Sequence, residues 1–380
     1  MTTFLRSLVL LFFFFAASIT LLAQDSLSAK AGSGKHYSLD DFYRYDPELA
    51  HRVDEVFAEL NDSQRVAQMI VPAIGRYGKE DAHIRKMVQQ QAIGGLLLLN
   101  GTKAECKAWV QEMDSITKAV GGLPLLYTAD AEPSLINRKI KGTRPVPVTS
   151  SLQSIPENQR IAELISQELL EIGIRQNYAP VTDVSTSNRA IGNRSYSANA
   201  DTVQMMNASF IHVSQKMGVA ATAKHFPGHG LVTGDSHHRL VYIKDSLMEL
   251  GNYPPLIEKG VISVMVGHIA LEDANGIDTE NMPATLSRAV VTDLLKGELG
   301  FSGLVVTDAL NMKAVSEINK APVKAIQAGC DQVLMPEMNE AELRDQILVA
   351  MYLDKELERQ VFISVKKIIR LKLCLGLIAP

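Results

Sequence analysis

Short apolar runs alternate with amphipathic stretches along the chain from about residue 45 onward. Each run ends in a turn rich in glycine, proline or polar residues, and eight such runs can be counted. They cover 68–75, 93–101, 123–132, 174–184, 219–228, 261–271, 302–310 and 330–337. Runs that are apolar almost throughout are typical of strands buried on both faces, as in a parallel sheet.

The amphipathic stretches between the runs predict helices. In the clearest of them, 156–173, apolar residues recur at helical spacing from Ile161 to Ile172 and form one stripe. The stretch from Ser287 to Gly300 predicts a further helix, with Ser287 as its N-cap.

Eight strand–helix units predict an α/β fold, and specifically a (β/α)8 TIM barrel that forms a single domain over residues 37–380. A doubly wound open sheet is the alternative, which the count of eight disfavours. The placement of polar residues favours the barrel, because catalytic groups of barrel enzymes collect at the carboxyl ends of different strands. The polar residues at the ends of the runs include Asp130, Asp183, Lys224, His225, His268 and Asp308.

The composition is that of an ordinary globular protein, with 380 residues, 46% of them hydrophobic, and a net charge of −4. The mixed charge and the single tryptophan give no sign of a nucleic-acid partner. Three cysteines without a CxxC pattern are expected to be buried free thiols.

The first 24 residues differ from the rest of the chain, because an early arginine precedes an uncharged apolar run that ends in small residues. This pattern predicts a signal peptide at 1–24, a small polar linker at 25–36 and export to the periplasm or the medium. An uncleaved anchor is the alternative, but the apolar run is short for a membrane span of about 20 residues. We therefore expect no stable membrane span after removal of the signal.

The stretch KHFPGHGLVTGDSHH, 224–238, holds four of the nine histidines of the chain. A metal site is one interpretation, since His225 and His229 stand four residues apart. Histidines at this spacing share a face only on a helix, which Pro227 and the glycines of this stretch make improbable. Lys224 would also place a cation at the metal, so we expect neither a metal nor another cofactor.

Acid–base chemistry is the second interpretation of the histidine-rich stretch. In a turn, the carboxylate of Asp235 can reach the imidazole of His237, orient it and stabilise its protonated form. Asp308, at the end of an apolar run, is placed to act as a nucleophile. An aspartate with an acid/base histidine suggests glycoside cleavage with retention, although two carboxylates are the usual pair.

The string KHFPGHG followed by DSH resembles the signature of glycoside hydrolase family 3, in particular its bacterial β-N-acetylglucosaminidase branch. The resemblance extends from about residue 60 to about residue 375. It implies a TIM barrel, with Asp235 and His237 as the acid/base pair and Asp308 as the nucleophile that forms a covalent glycosyl-enzyme. It also implies that Lys224 and His225 bind sugar hydroxyls, whereas His229 and His238 are expected to be structural.

Two further segments carry the resemblance. IGNRSYS is similar to the family motif IGxRSF, which makes Arg194 a sugar contact. TADAEPSLINR is similar to DQEGGRVxR, so that Asp130 and Arg138 match residues that hold the nonreducing sugar. Asp183, in YAPVTDV, matches a supporting residue.

The chain departs from the family pattern near the predicted site residues. Pro133 and Ser134 replace two glycines, and Ala309 stands where an acidic residue is frequent. These changes put the binding of the leaving side in doubt more than the chemistry.

The resemblance implies an exo-β-N-acetylglucosaminidase that acts on oligosaccharides. We expect a monomer. Four alternatives remain open: another β-glycosidase on the same barrel; a phosphorylase, because a histidine acid does not repel phosphate; a sugar-binding protein without activity; and a metal-dependent hydrolase.

Overall fold

The structure is a computed structural model that describes residues 35–184, 188 and 190–380. Within them, Tyr37–Ile378 forms one compact unit. The predicted signal peptide and nearly all of the linker lie outside the described residues. No helix in the described part of the chain is long and apolar enough to cross a membrane.

Thirteen strands occur in the described residues, and each of the eight predicted runs contains at least one. They are β1 (Ile70–Val71), β2 (Ala73–Ile74), β3 (Gly95–Leu98), β4 (Gly101–Thr102), β5 (Leu126–Ala129), β6 (Ile140–Lys141), β7 (Gln176–Asn177), β8 (Ala220–Phe226), β9 (Val241–Lys244), β10 (Ser263–Val266), β11 (Ile269–Glu272), β12 (Leu304–Thr307) and β13 (Val333–Leu334).

Seven of these strands form a curled parallel sheet in the order β12-β10-β8-β7-β5-β3-β2. Every residue of β3, β5, β8, β10 and β12 is buried, as the continuous apolar runs predicted. A parallel pair of β1 with β13 lies beside this sheet, and a single bridge joins Val306 of β12 to Gln332. The α/β class is confirmed, and the strand order is consistent with the predicted barrel.

Helices alternate with the strands of the sheet. The α-helices are Pro47–Glu59, Asp62–Ala67, Asp81–Gln89, Lys103–Ala119, Ile136–Lys139, Ile155–Ile172, Ala200–Lys216, Pro254–Glu258, Ala321–Ala328, Glu340–Leu353 and Lys355–Cys374. Short 3-10 turns occur at Leu39–Asp41, Thr149–Ser151, Gly192–Arg194, Leu250–Asn252 and Ala284–Leu286.

The helix predicted at 156–173 spans Ile155–Ile172. Its N-terminus is capped by the side chain of Ser154, and it ends at Gly173, whose φ of 106° is in the left-handed region. The prediction for Ser287 is wrong in detail. The helix that follows, Ala289–Glu298, has π-type hydrogen bonding, and the carbonyl of Ser287, not its side chain, accepts the first bonds. Residue spacing alone does not distinguish such a helix from an α-helix.

The three cysteines, Cys106, Cys330 and Cys374, are buried and free, as the sequence predicted.

Candidate active site

A cavity of about 770 Å³ opens at the carboxyl ends of the parallel strands. All eight site residues predicted from the sequence line it. They are Asp130, Arg138, Arg194, Lys224, His225, Asp235, His237 and Asp308. Residues separated by almost 180 positions in the chain thus share one wall, because parallel strands present their carboxyl ends at the same edge of the sheet.

Asp308 is the first residue after β12. Its backbone N–H donates to the carbonyl of Val266 at 2.9 Å, and its Oδ1 accepts the N–H of Ala309 at 2.8 Å. Burial alone would raise the pKa of Asp308, but the charges of His225 and His268 outweigh burial and lower this pKa to about 2. The carboxylate is therefore ionised at neutral pH, as a nucleophile must be.

His268 is buried behind Asp308. Its Nε2 donates to the carbonyl of Ala309 at 3.0 Å, and its Nδ1 lies 2.8 Å from Oγ1 of Thr285. Burial lowers the pKa of this imidazole. These contacts fix the backbone next to the nucleophile, a role that the strand-end position of His268 in the sequence did not disclose.

Asp235 and His237 form the pair that their spacing predicted. Oδ1 of Asp235 lies 2.7 Å from Nδ1 of His237 and also accepts the backbone N–H of His237 at 2.9 Å. Burial would raise the pKa of Asp235, but the two hydrogen bonds from His237 outweigh it and lower the pKa. With Nδ1 bound to the carboxylate, Nε2 is the imidazole nitrogen left for proton exchange. The side chain of His237 is 56% exposed, so a substrate can reach it.

The buried Glu249, which was not predicted as a site residue, holds part of the histidine-rich stretch 224–238. Its carboxyl group accepts the backbone N–H groups of Val184 at 2.7 Å, Gly230 at 3.0 Å and Leu231 at 3.1 Å. A Cβ on Gly228 would lie 2.5 Å from the Cβ of Glu249. Gly228 and Gly230 thus allow the backbone to approach Glu249 closely. No motif marks Glu249, because the contact arises only from the fold.

The buried carboxyl group of Glu249 should make stability depend on pH. Burial, together with the charge of Asp183, raises the pKa of Glu249 from 4.5 to about 8. A carboxyl group whose pKa is higher in the folded protein than in the unfolded chain contributes its full stabilisation below the unfolded-state pKa. That contribution is lost as pH rises through the folded-state pKa. The Tm of the wild-type protein should therefore fall between pH 4.5 and about 8. Part of this fall should be absent from Glu249→Gln, which has no titratable group at this position. Thermal unfolding over this range is the measurement. The exposed Glu258→Gln serves as control. If the Tm of Glu249→Gln falls with pH as steeply as that of Glu258→Gln, Glu249 does not cause the pH dependence.

A second group of charges lines the same cavity, with Asp130 directly after β5, Lys139 at the end of the helix Ile136–Lys139 and Lys224 in β8. Asp130 accepts from Lys224 Nζ at 2.6 Å through Oδ1 and from Lys139 Nζ through Oδ2. Burial would raise the pKa of Asp130, but Lys139, Lys224 and Arg194 hold it well below its ordinary value. The carboxylate therefore stays ionised and can accept hydroxyl donors of a ligand.

Glu132 is a further residue that the sequence did not single out. It is 1% exposed and forms a two-point ion pair with Arg194, from Nε at 2.5 Å and from Nη2 at 3.2 Å. Its Oε2 also lies 3.3 Å from Nζ of Lys224. Glu132 thus fixes Arg194 and Lys224, two of the cations that the resemblance assigned to the sugar. The only sequence signal for Glu132 was its position as the second acidic residue of the motif that includes Asp130. Lys139 had no signal beyond its charge.

Asp183 is fully buried and orients His225. Its Oδ2 lies 2.7 Å from Nδ1 of His225, and its Oδ1 accepts the backbone N–H of His229 at 2.7 Å. The ring of His229 is buried, with Nε2 2.8 Å from Oγ of Ser236, whereas His238 is exposed. Within the described residues, no group of three or more His, Cys, Asp or Glu side chains is arranged to hold a metal ion.

Residues 62–371 match the glycosyl hydrolase family 3 N-terminal domain. The chain belongs to glycosyl hydrolase family 3. Membership of this family, together with the relatives named next, indicates a glycoside hydrolase.

The family 3 chain is similar to named members in sequence and in structure. It is 31% identical over 285 residues to a beta-hexosaminidase of Stenotrophomonas maltophilia, which covers 70% of this chain and 83% of the relative. A family 3 beta-N-acetylglucosaminidase from Paenibacillus sp. str. FPU-7 superposes with a TM-score of 0.76 at 30% identity, over 84% of this chain and 64% of that one. A beta-N-acetylhexosaminidase from Beutenbergia cavernae superposes with a TM-score of 0.73 at 26% identity, over 81% and 97% of the two chains.

Proposed function

We propose that this protein is an exported, retaining exo-β-N-acetylglucosaminidase. It hydrolyses terminal β-linked N-acetylglucosamine from cell-wall or chitin-type oligosaccharides. The observation that carries the proposal is the joint placement, in one cavity, of an ionised Asp308 and the hydrogen-bonded pair of Asp235 and His237. The names of the similar enzymes supply the N-acetylglucosamine specificity of the proposal.

In the first step, a carboxylate oxygen of Asp308 attacks the anomeric carbon and forms a glycosyl ester. The bond from that carbon to the leaving oxygen breaks, and Nε2 of His237 gives its proton to that oxygen. Asp235 stabilises the imidazolium before the transfer and keeps Nδ1 protonated throughout.

In the second step, a water molecule attacks the anomeric carbon and displaces Asp308. Nε2 of His237 now accepts the proton of that water, which returns both residues to their starting states. Two displacements on the same carbon leave the sugar with its original β configuration.

The far end of the sugar is assigned to Asp130, Lys224, His225, Arg138 and Arg194. Asp130 accepts from hydroxyl groups, and the cations donate to them. Arg138 is exposed at the cavity wall and, within the described chain, forms no ion pair that would occupy its guanidinium.

We extend the proposal to the architecture, which we take to be a closed (β/α)8 barrel. Support comes from the hydrogen bonds at both edges of the curled sheet. Thr307 donates to the carbonyl of Gln332, Val333 donates to that of Met69, and Leu97 donates to that of Pro72. These bonds connect β12, β13, the β1–β2 segment and β3 in succession.

Export predicts removal of the N-terminus. An early arginine, an apolar run and small residues before Asp25 are the pattern of a cleaved signal. We expect cleavage before about residue 30 and a mature protein in the soluble fraction of its host. N-terminal sequencing of protein from its own host is the measurement. Full-length protein that retains Met1 in the membrane fraction would instead indicate an anchor.

Product analysis on a panel of glycosides tests the function as a whole. Aryl and oligosaccharide β-N-acetylglucosaminides should release N-acetylglucosamine from the nonreducing end, detected by mass spectrometry. Turnover should be the same with and without phosphate. Release of a sugar phosphate would instead indicate phosphorolysis, and the absence of turnover on every N-acetylglucosaminide would contradict the proposal.

A further inference from the structure

A second cavity, of about 820 Å³, adjoins the active-site cavity that is lined by Asp235, His237 and Asp308. The two share Leu99, Arg138 and Lys139 as a common wall. The rest of the second cavity is formed by the segments that follow β2 and β3, by the helix Lys103–Ala119, by Asp81 at the start of the helix Asp81–Gln89 and by Lys141 of β6. None of Asp235, His237 and Asp308 lines it.

The floor of the second cavity is tightly packed. Gly75 has a φ of 115°, and a Cβ there would lie 2.0 Å from the carbonyl oxygen of Leu99 and 3.3 Å from the ring of Trp109. A Cβ on Gly101 would lie 2.9 Å from the same ring. The indole Nε1–H of Trp109 donates to Asp81 at 3.1 Å. The tryptophan is thus fixed against two glycines, so the cavity has a rigid base.

Positive charge prevails on its walls, where four cations face two carboxylates. The cations are Arg76, Arg138, Lys139 and Lys141, and the carboxylates are Asp81 and Glu105.

Both carboxylates are already engaged. Asp81 accepts from Trp109, and Glu105 accepts the backbone N–H of Thr102 at 2.7 Å, with Lys141 close enough to lower its pKa further. Among the cations, Lys139 is bound to Asp130. In the described part of the chain, none of the other three forms an ion pair.

The position of the cavity fixes which part of a substrate can enter it. The anomeric carbon must lie at Asp308, and the leaving group must depart toward His237. Lys139 belongs to the second cavity and also binds Asp130, which holds the far end of the sugar. A group that enters the second cavity is therefore attached to the nonreducing sugar at a carbon remote from the scissile bond.

We propose that the second cavity is a subsite for an anionic substituent on the nonreducing N-acetylglucosamine. The inference rests on the proposed function, and it adds the substrate class: sugars that carry a carboxylate or a phosphate on a hydroxyl remote from the anomeric carbon. Either anion matches the guanidinium groups of Arg76 and Arg138 and the ammonium group of Lys141, which form no ion pair in the described part of the chain. The carboxylate would come from a carboxyalkyl ether of the sugar, and the phosphate from a phosphate ester.

The test compares three methylumbelliferyl β-glycosides: N-acetylglucosamine, its 3-O-carboxyethyl ether and its 6-phosphate. Arg76 and Lys141 line only the second cavity, so we use the double variant Arg76→Gln/Lys141→Gln. Its kcat/KM should fall about three- to tenfold on at least one anionic substrate, because each exposed ion pair contributes little. On the uncharged substrate it should stay within about twofold. The loss should shrink at about 0.5 M salt, where exposed charges are screened.

Lys118→Gln/Arg160→Gln is the matched control, since both cations are exposed and line neither cavity. It should leave all three substrates unchanged. The anionic substrate that responds identifies the carboxylate or the phosphate as the source. If the double variant loses kcat/KM equally on charged and uncharged substrates, the proposal is overturned. It is also overturned if both anionic glycosides are neither hydrolysed nor act as inhibitors.

Activity on the uncharged glycoside tests the proposed function separately. If no glycoside is hydrolysed, the proposed function fails. Calorimetric binding of the two anionic sugars to the unchanged protein and to the double variant then decides the inference about the second cavity.

Discussion

Asp308→Ala should lower kcat/KM on an aryl β-N-acetylglucosaminide by about 10³-fold or more, while the protein stays folded. In the proposed mechanism this carboxylate forms the bond to the anomeric carbon, and its pKa of about 2 keeps it charged at neutral pH. The control is Asp345→Ala, whose side chain is 63% exposed and pairs with Arg344 away from the cavity. It should retain the full rate. Steady-state kinetics, with circular dichroism to verify folding, gives the answer.

Chemical rescue separates a nucleophile from a residue that merely supports the site. The space left by Asp308→Ala should admit azide, which attacks the anomeric carbon once and yields an α-glycosyl azide. Restored turnover with that product is the expected result. A variant that works at near the original rate, or that azide rescues with a β product, would remove Asp308 from this role.

His237→Ala should separate substrates by the quality of their leaving groups. Oligosaccharides need a proton on the departing oxygen, so their hydrolysis should slow by about 10²- to 10⁴-fold. Aryl glycosides with acidic phenols need no acid, so their first step should proceed. Their second step still needs a base, and a burst of phenol equal to the enzyme concentration should precede slow turnover. Stopped-flow measurement of phenol release detects it.

His238→Ala is the matched control for this variant. His238 is the next residue, it is exposed, and it does not line the cavity. Its rates should stay within about twofold of the unchanged protein. Equal slowing of both substrate classes by His237→Ala, without a burst, would make His237 a binding or structural residue.

The fold could be predicted from the sequence as far as burial determines the pattern. Strands covered on both faces must be apolar almost throughout, so the eight runs contain all strands of the central sheet. The pairs β4–β6 and β9–β11 were not predicted. They are short or partly exposed, and they depend on loops meeting after the fold has formed. A helix was predicted at Ala289–Glu298, but its π-type hydrogen bonding was not, because its apolar spacing resembles that of an α-helix.

The candidate site could be predicted where chemistry is local in the chain. Asp235 and His237 are two residues apart, and a turn is enough to bring them together. Glu249 could not be found in this way, since its partners lie up to 65 positions away. Lys139 and Glu132 stand beside predicted residues, but the sequence does not tell which of several neighbouring charged side chains faces the cavity.

Trapping the covalent intermediate tests the central claim most directly. In a 5-fluoro-N-acetyl-β-glucosaminyl fluoride, the fluorine next to the ring oxygen destabilises the oxocarbenium-like transition states of both steps. Fluoride is also a good leaving group, which speeds only the first step, so the glycosyl ester should form faster than it is hydrolysed. Peptide mass spectrometry of the inactivated protein should then place one 5-fluoro-N-acetylglucosaminyl adduct on Asp308. An adduct on another residue, or complete turnover of the reagent with release of the α-configured sugar and no adduct, would contradict it.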